Sequence, residues 1–419
     1  MTINKNLSKK YRYTADDKWL GMKYARPFVL FMLKKGAGAM LVTLLLAVLL
    51  CGCGAAEGET AADFQTGELE AQPESGTDDT SEVSLVMVGD LLVHKSVYES
   101  GVKSDGTLNY DHLFKNIEGD IKAADVAVIN NEVVYGGNDI GFRDYPEFNA
   151  PTEVGDSVSA AGFDIVLHAS NHVLDQGVEG IENCLSFWKE SHPEETVLGI
   201  HASEAESSDI FIYEKNGIRI AMLNYTYGLN GKKLPEDKSY MIDLMDESSK
   251  DKVREDIRKA HKEADAVIIF PHWGTEYSLE VVDSEKEWAQ LFADEGVMLV
   301  IGSHPHVIEP MELIEGKDGN KMLCYYSVGN YISSQTKAEA MLGIMAKVKI
   351  RKDSEGKVEI SDYGYEALVT HISAEPDGFT VYKLSEYTEK LASENIICRY
   401  DDRFSLKFLK ELKDNVFHP

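Results

Sequence analysis

Residues 296–306 read GVMLVIGSHPH. An apolar run stops at Gly302, and two histidines, His304 and His306, follow around Pro305. The run has the length of a buried strand and is too short for a helix of its own. Its polar ending has two readings: an ordinary strand cap, or two imidazoles aimed at a metal. Working outward, the same grammar recurs four times. VSLVMVGD (83–90) ends on Asp90, ADVAVINNE (124–132) on Glu132, and GFDIVLHASNH (162–172) on Asn171 and His172. ADAVIIFPHWG (264–274) carries His272. Between these runs lie amphipathic, helix-like stretches: PTEVGDSVSAAG (151–162), ESSKDKVREDIRKAHKEA (247–264) and DSEKEWAQLFADEG (283–296). Strand–helix alternation predicts an α/β domain with a substantial parallel component. KMLCYYSVGNYI (321–332), LGIMAKVKIRK (342–352) and KVEISDYGYEALVTHI (357–372) read as further strands that extend a second sheet. SLKFLKELKDNVF (405–417) reads as a terminal helix.

In open α/β sheets, sites form at the carboxyl ends of the strands. Five strand ends here deliver Asp90, Glu132, Asn171 with His172, His272, and His304 with His306. These are oxygen and imidazole donors without a thiolate, a set that suits Mn, Fe or Zn. Each alone has an ordinary explanation: Asp90 as a helix cap, His-Trp-Gly as a packed aromatic pair, Ser-Asn-His as a turn. Five in succession, all at strand termini, point to a metal or catalytic cluster.

Composition narrows the function classes. The net charge is −29 and the hydrophobic fraction 43%. So acidic a chain is not a general nucleic-acid binder. It would also repel an anionic polymer unless cations bridge the two. Cys51 and Cys53 fall in a leader, and Cys184, Cys324 and Cys398 are scattered, so no disulfide framework is implied.

The N-terminus carries an address. In MLKKGAGAMLVTLLLAVLLCGCG (32–54), two lysines precede an apolar run from Ala37 to Leu50. That run is shorter than the ~20 residues a spanning helix needs and fits the apolar core of a secretory signal. The closing Leu-Cys-Gly-Cys resembles a bacterial lipoprotein processing box, with Gly52 before the lipidated Cys53; an uncleaved anchor is the alternative. Either way the positive flank stays cytoplasmic and the bulk of the chain lies outside the membrane. Met32 is a second candidate start. The expected organisation is a leader and signal over 1–53, an acidic linker over 54–82, a folded domain over 83–372 and a helical extension over 373–419. The linker has no Lys or Arg and almost no large apolar residue, so it cannot bury enough surface to order itself.

The folded part resembles the capsule-synthesis CapA family, the poly-gamma-glutamate capsule proteins, within the calcineurin-like metallophosphoesterase superfamily. The stretches that carry the resemblance are VMVGDLLVH (86–94), INNEVVYGG (129–137), FNAPTEVGDSVSAAGFDIVLHASNHVLDQG (148–177), FPHWGTEY (270–277), IGSHPHVIEP (301–310) and YYSVGNYISSQ (325–335). The resemblance implies a four-layer α/β/β/α sandwich, two packed sheets with helices outside. It also implies two divalent ions that clamp a substrate oxygen and activate a hydroxide. By the same resemblance Asp90 and His306 share one ion, His304, His272 and Asn171 share the other, and Glu132 bridges them. His172 is then the general acid to the leaving group. Asp175 either orients His172 or caps the turn.

Departures from the superfamily pattern matter. The first strand has Asp90 and His94 in place of Asp-x-His, which leaves His94 a ligand, a substrate contact or a surface residue. Asn-Asn-Glu replaces the usual bridging aspartate motif, and Ser170 stands where a glycine is usual. Phosphate-ester hydrolysis is therefore not secured by these residues. Trp273 and Tyr277 either line a cleft or pack between layers. Glu276 is a further candidate, as a partner to a ligand imidazole or a helix cap. Asn330 is another, although turn chemistry alone explains Gly329 and Asn330. His168 reads as a core residue; His112, His192, His201, His261, His371 and His418 read as surface residues.

Two functions follow. One is an extracytoplasmic metal-dependent hydrolase or transferase acting on a phosphoester or a gamma-glutamyl amide. The other is a non-catalytic accessory of capsule assembly that holds polymer or partner membrane proteins. Neither involves nucleic acid.

Overall fold

The computed structural model describes residues 81–417. The leader, Cys53 and nearly all of the expected linker lie outside the described residues. The first half of the described chain alternates strand and helix: β1 (Ser81–Leu91), α1 (Lys95–Ser100), α2 (Glu118–Ala123), β2 (Val126–Asn131), α3 (Thr152–Ala161), β3 (Ile165–Leu167), α4 (Gly177–Ser191) and β4 (Thr196–Leu198). A second run follows: β5 (Ile212–Lys215), β6 (Ile218–Thr226), α5 (Lys250–Glu263), β7 (Ala266–His272), α6 (Asp283–Asp294), β8 (Leu299–Ile301), β9 (Met311–Glu315) and β10 (Lys321–Tyr325). The chain closes with β11 (Asn330–Ile332), β12 (Leu342–Lys352), β13 (Val358–Ile372), β14 (Phe379–Lys383), α7 (Glu389–Glu394) and α8 (Leu406–Phe417).

These strands form two sheets. The first has the order β14-β13-β12-β1-β2-β3-β4, with β11 also paired to β1. β1 to β4 are mutually parallel, and β12, β13 and β14 continue the sheet antiparallel. The second has the order β5-β6-β7-β8-β10-β9, parallel through β6, β7, β8 and β10. The late strands therefore do not extend the second sheet as a group: β10 joins it, but β11, β12 and β13 join the first. Alternation marks a strand without saying which open edge it will pair with, and β12 finds the free edge of β1.

The layers follow from side-chain alternation. On one face of the second sheet, Ile220, Met222, Ile268, Phe270, Leu299, Ile301 and Leu323 enter a core shared with the first sheet. On the other, Ala221, Val267, Ile269, Val300 and Met322 pack with Val253, Ile257 and Ala260 of α5 and Ala289 and Phe292 of α6. In the first sheet the crossovers from β1 through β4 all step the same way. Right-handed connection then puts α2, α3 and α4 on one face, where they bury Ile121, Val154, Val158, Ile181 and Trp188. The result is the four-layer α/β/β/α sandwich. β14 and α8 belong to it: β14 pairs with β13, and Phe417 stacks on Tyr365 at 4.2 Å.

One backbone contact fixes where β1 ends. A Cβ added to Gly89 would lie 1.7 Å from the Gly329 carbonyl oxygen, so only glycine permits the approach. The Asp90 N–H then donates to that oxygen at 3.1 Å. Asp90 and Asn330 become neighbours in parallel register.

Candidate metal centre

The parallel strands of both sheets bring their carboxyl ends to one place. β1 delivers Asp90, and Glu132 follows β2; Asn171 and His172 follow β3, His272 closes β7, and Ser303 to His306 follow β8. All are nearly inaccessible to solvent, with Asp90, Glu132 and His272 at 0% exposure.

The distances fall into two sets around Glu132. His306 Nδ1 lies 3.0 Å from Asp90 Oδ2 and 3.7 Å from Glu132 Oε2. His272 Nε2 lies 3.0 Å from Asn171 Oδ1 and 3.7 Å from Glu132 Oε1. Neither Glu132 oxygen has a hydrogen-bond partner, and buried His304 Nδ1 also has none. One donor atom each from Glu132, His304 and His306 lie within 4.8 Å of one another. Two ligands of a single ion, each about 2.0–2.2 Å from it, stand about 3.0–3.7 Å apart at ordinary coordination angles. A buried carboxylate that faces imidazoles at such distances without bonding to them costs free energy unless a cation completes it. The set fits a divalent ion.

Outer partners hold the donors in place. Asn130 Nδ2 donates to Asp90 Oδ1 at 2.7 Å and lies 3.4 Å from His272 Nδ1. Ser303 Oγ lies 3.1 Å from His272 Nδ1, which leaves Nε2 to face Asn171 and Glu132. Asn330 Oδ1 lies 3.2 Å from His306 Nδ1, the nitrogen that faces Asp90 and Glu132, and so adds an oxygen at the donor atom itself. Partners such as Ser303 fix imidazole orientation in metal sites. Backbone conformation does the same for the His-Pro-His loop: His304 and His306 have φ of +99° and +61°, a region that side chains enter only when the surroundings compel it.

The electrostatics agree with a cation site. Burial, and then the neighbouring imidazoles, hold His272 and His304 well below the ordinary histidine range, so both rings are neutral. Burial also pushes Glu132 far up, with Asp90 adding to the effect against the opposing pull of His306. His306 is the exception. Burial would lower it, but Glu132 and Asp90 outweigh burial and raise it to about 9. A proton on His306 thus supplies, in the metal-free chain, some of the positive charge the two carboxylates require.

His172 lies beside this cluster. Its Nδ1 is 2.7 Å from Asp175 Oδ2, and the same oxygen accepts the Phe148 N–H at 2.8 Å. His94 is buried at the edge, its ring edge-on to Phe148 at 5.2 Å, and burial pushes it down to about 3. It is not a surface residue. Glu276 sits exposed on the turn after β7. Asn330 is in strand β11 rather than a turn. Trp273 packs toward α6, with Nε1 donating to the Tyr326 carbonyl at 2.9 Å. Tyr277 lies 5.8 Å from the His306 ring, beneath Lys337 Nζ at 3.5 Å. His168 is a core residue that accepts from Trp188 Nε1 at 2.9 Å. His112 and His371, read as surface residues, are buried instead, against Ser100 Oγ at 2.9 Å and Tyr387 Oη at 2.9 Å.

Asn130, Ser303 and Tyr227 are missing from the sequence reading. Tyr227 packs its ring 4.7 Å from His304 and is 39% exposed. Two consecutive amides, Asn130 and Asn131, in an otherwise apolar strand were the available signal for the first of them.

Residues 84–335, which hold every one of these donors, match the family described as Bacterial capsule synthesis protein PGA_cap. The chain belongs to that family. It is 26% identical over 291 residues to the PGA biosynthesis protein CapA of Bacillus subtilis (strain 168), covering 67% of this chain and 70% of that one. It is 26% identical over 272 residues to the capsule biosynthesis protein CapA of Bacillus anthracis, covering 61% of each. Among solved structures, a putative 5'-nucleotidase from Staphylococcus aureus in complex with alpha-ketoglutarate aligns at 13% identity and a TM-score of 0.45 over 80% of this chain and 58% of that one. A hypothetical protein from Thermus thermophilus aligns at 13% identity and a TM-score of 0.39 over 68% of this chain and 98% of that one. The PGA_cap match begins within β1 and ends just beyond β11, so it takes in both sheets where they meet at the donor cluster.

Proposed function

We propose that this PGA_cap family member is an extracytoplasmic, metal-dependent hydrolase or transferase. It acts on gamma-glutamyl amide bonds during synthesis or export of a poly-gamma-glutamate capsule, and Cys53 anchors it to the cell membrane through lipid. It holds two divalent ions, Mn, Fe or Zn. The observation that carries this reading is the pair of unpartnered oxygens on Glu132, each 3.7 Å from the imidazole of a different donor set. One set is Asp90 and His306. The other is Asn171 and His272, with His304 close by. Ions bound there supply Lewis acidity at a substrate oxygen and a nucleophile at neutral pH.

The chain's own groups do the rest. Neutral His272 and His304 bind without adding negative charge, and Glu132 balances charge between the two halves. Asp175 draws the His172 proton to Nδ1 and leaves Nε2 as the nitrogen that exchanges a proton with the leaving group. Support for the substrate class comes from the family and from the names of the two Bacillus relatives.

The test is elemental analysis of the purified full-length chain, followed by assays with gamma-linked glutamate oligomers and an aryl phosphodiester. Bound metal with release of glutamate or a transferred oligomer is the expected result. Turnover of the phosphodiester alone would move the reaction to phosphoesters. Bound metal with no turnover would make the protein an accessory that grips polymer. A chain that takes up no Mn, Fe or Zn sinks the reading.

A further inference from the structure

The turn that follows β6 touches the donor cluster on the side of Asn171. Leu229 to Lys232 form a tight reversal: the Lys232 N–H donates to the Leu229 carbonyl at 2.9 Å, and Asn230 and Gly231 have φ of +50° and +77°. Consecutive left-handed residues of the Asn-Gly type define a type I′ turn. The turn is anchored on both sides. The Tyr227 N–H donates to the His272 carbonyl at 3.0 Å, and Lys232 Nζ donates to the Asp175 carbonyl at 3.0 Å.

At its tip, Asn230 Oδ1 accepts from Asn171 Nδ2 at 3.2 Å. This bond bears on chemistry. An amide has one face that accepts and one that donates, and only the oxygen can bind a cation. Asn171 Oδ1 lies 3.0 Å from His272 Nε2, inside the cluster. If the Asn171 amide turned over, its NH₂ would point at the ion and its oxygen at the Asn230 oxygen, two unfavourable contacts at once.

We infer that Asn230 is a positioning residue that locks the Asn171 amide with its oxygen toward the metal centre. It does not itself bind metal or substrate. The inference rests on the metal-site reading above.

Glycine is the informative replacement, because it takes a positive φ without cost and removes only the side chain. Aspartate keeps an acceptor oxygen in place. The experiment measures Mn²⁺ binding to chelator-stripped full-length protein by calorimetry, with melting temperatures alongside. Asn230→Gly is expected to weaken Mn²⁺ binding about 10–100-fold, the usual effect of losing an outer partner, while the stripped protein melts no lower than wild type. Asn230→Asp is expected to bind within a few-fold of wild type or more tightly. In an Asn171→Ala background, Asn230→Gly should have no further effect on binding, since the group it positions is gone. Equal Mn²⁺ affinity in wild type and Asn230→Gly overturns the assignment and leaves the metal site standing. A lowered melting point with additive losses in the double variant overturns it in favour of a structural role. No uptake by wild type overturns the metal reading, and this assignment with it.

Discussion

His172 Nδ1 stands 2.7 Å from Asp175 Oδ2, and that oxygen is shared with the Phe148 backbone N–H at 2.8 Å. The carboxylate is thus anchored from behind before it meets the imidazole. Asp175→Asn should keep the fold, because one amide oxygen can still serve Phe148, but it weakens the charge that orients the ring. A fall in kcat of roughly 10–100-fold with little change in KM is expected, against about 10²–10⁴ for His172→Ala. Steady-state kinetics on whichever substrate the wild type turns over will check the ordering. A larger loss for Asp175→Asn than for His172→Ala would reverse the roles.

Glu132 should change the sign of its contribution with metal. In the stripped chain its two buried oxygens lack partners and burial disfavours its ionised form, so Glu132→Gln, which cannot ionise, spares the folded chain that cost near neutral pH and is expected to raise the melting point. In the loaded chain the same change removes a ligand. Wild type at about 100-fold excess over Kd gains about 2.7 kcal/mol, and Glu132→Gln should lose most of that gain. Melting curves with and without Mn²⁺ give both halves; a variant that gains as much as wild type would rule Glu132 out as a ligand.

Gly89 is held against Gly329 by a contact that no side chain tolerates, 1.7 Å from an added Cβ to a backbone oxygen. Gly89→Ala must push β11 away from β1 and move Asp90 relative to Asn330 and His306. A stability loss of at least about 3 kcal/mol is expected, in the range of severe overpacking, together with weaker metal uptake. Urea unfolding of the variant provides the measure, and a loss under about 1 kcal/mol would mean the strands part easily.

Away from the donor cluster, Glu285 of α6 and Glu309 form a buried carboxyl pair. Glu285 Oε2 accepts the Val282 N–H at 2.8 Å, and a protonated Glu309 shares a hydrogen bond with the Glu285 carboxyl. Burial, and then the Glu285 carboxyl, hold Glu309 far above the ordinary carboxyl range. The folded chain therefore keeps a proton that the unfolded chain releases near pH 4–5. Stability is greatest below that range and falls as pH rises toward the folded value. Glu309→Gln cannot ionise, so its stability should fall less between roughly pH 5 and 9 than wild type's, which loses up to about 1.4 kcal/mol for each pH unit over which only the folded chain holds the proton. Parallel slopes for the two proteins would show that the pair does not titrate.

Much of the site is legible because Asp90, Glu132, His272, His304 and His306 each end an apolar run, and strand ends of parallel sheets collect in space. The four-layer order is legible from the resemblance, while strand–helix alternation by itself reads only as an α/β domain. What is hidden depends on contacts between distant segments. Asn130 sits among strand residues whose facing is settled only when β1 is paired beside it and β7 of the second sheet is packed against it. Asn330 looks like a turn residue because Gly329 precedes it, yet pairing with β1 makes it a strand. His112 and His371 have polar sequence neighbours but are covered by Ser100 and by Tyr387, from other segments. β12 reads as a strand in any sheet, and only the free edge of β1 decides which.

The loop carrying His306 reaches back to a residue 216 positions earlier, Asp90, while His272 meets Asn171 across 101. No single strand end holds half of the six donors. During synthesis, then, Asp90 meets Asn130 early but must wait for most of the chain before His306 reaches it, and contacts of such sequence separation form late. Metal binding at this cluster would in this sense be a readout of completed folding. A cation held by both donor sets would tie the carboxyl ends of the two sheets together through Glu132.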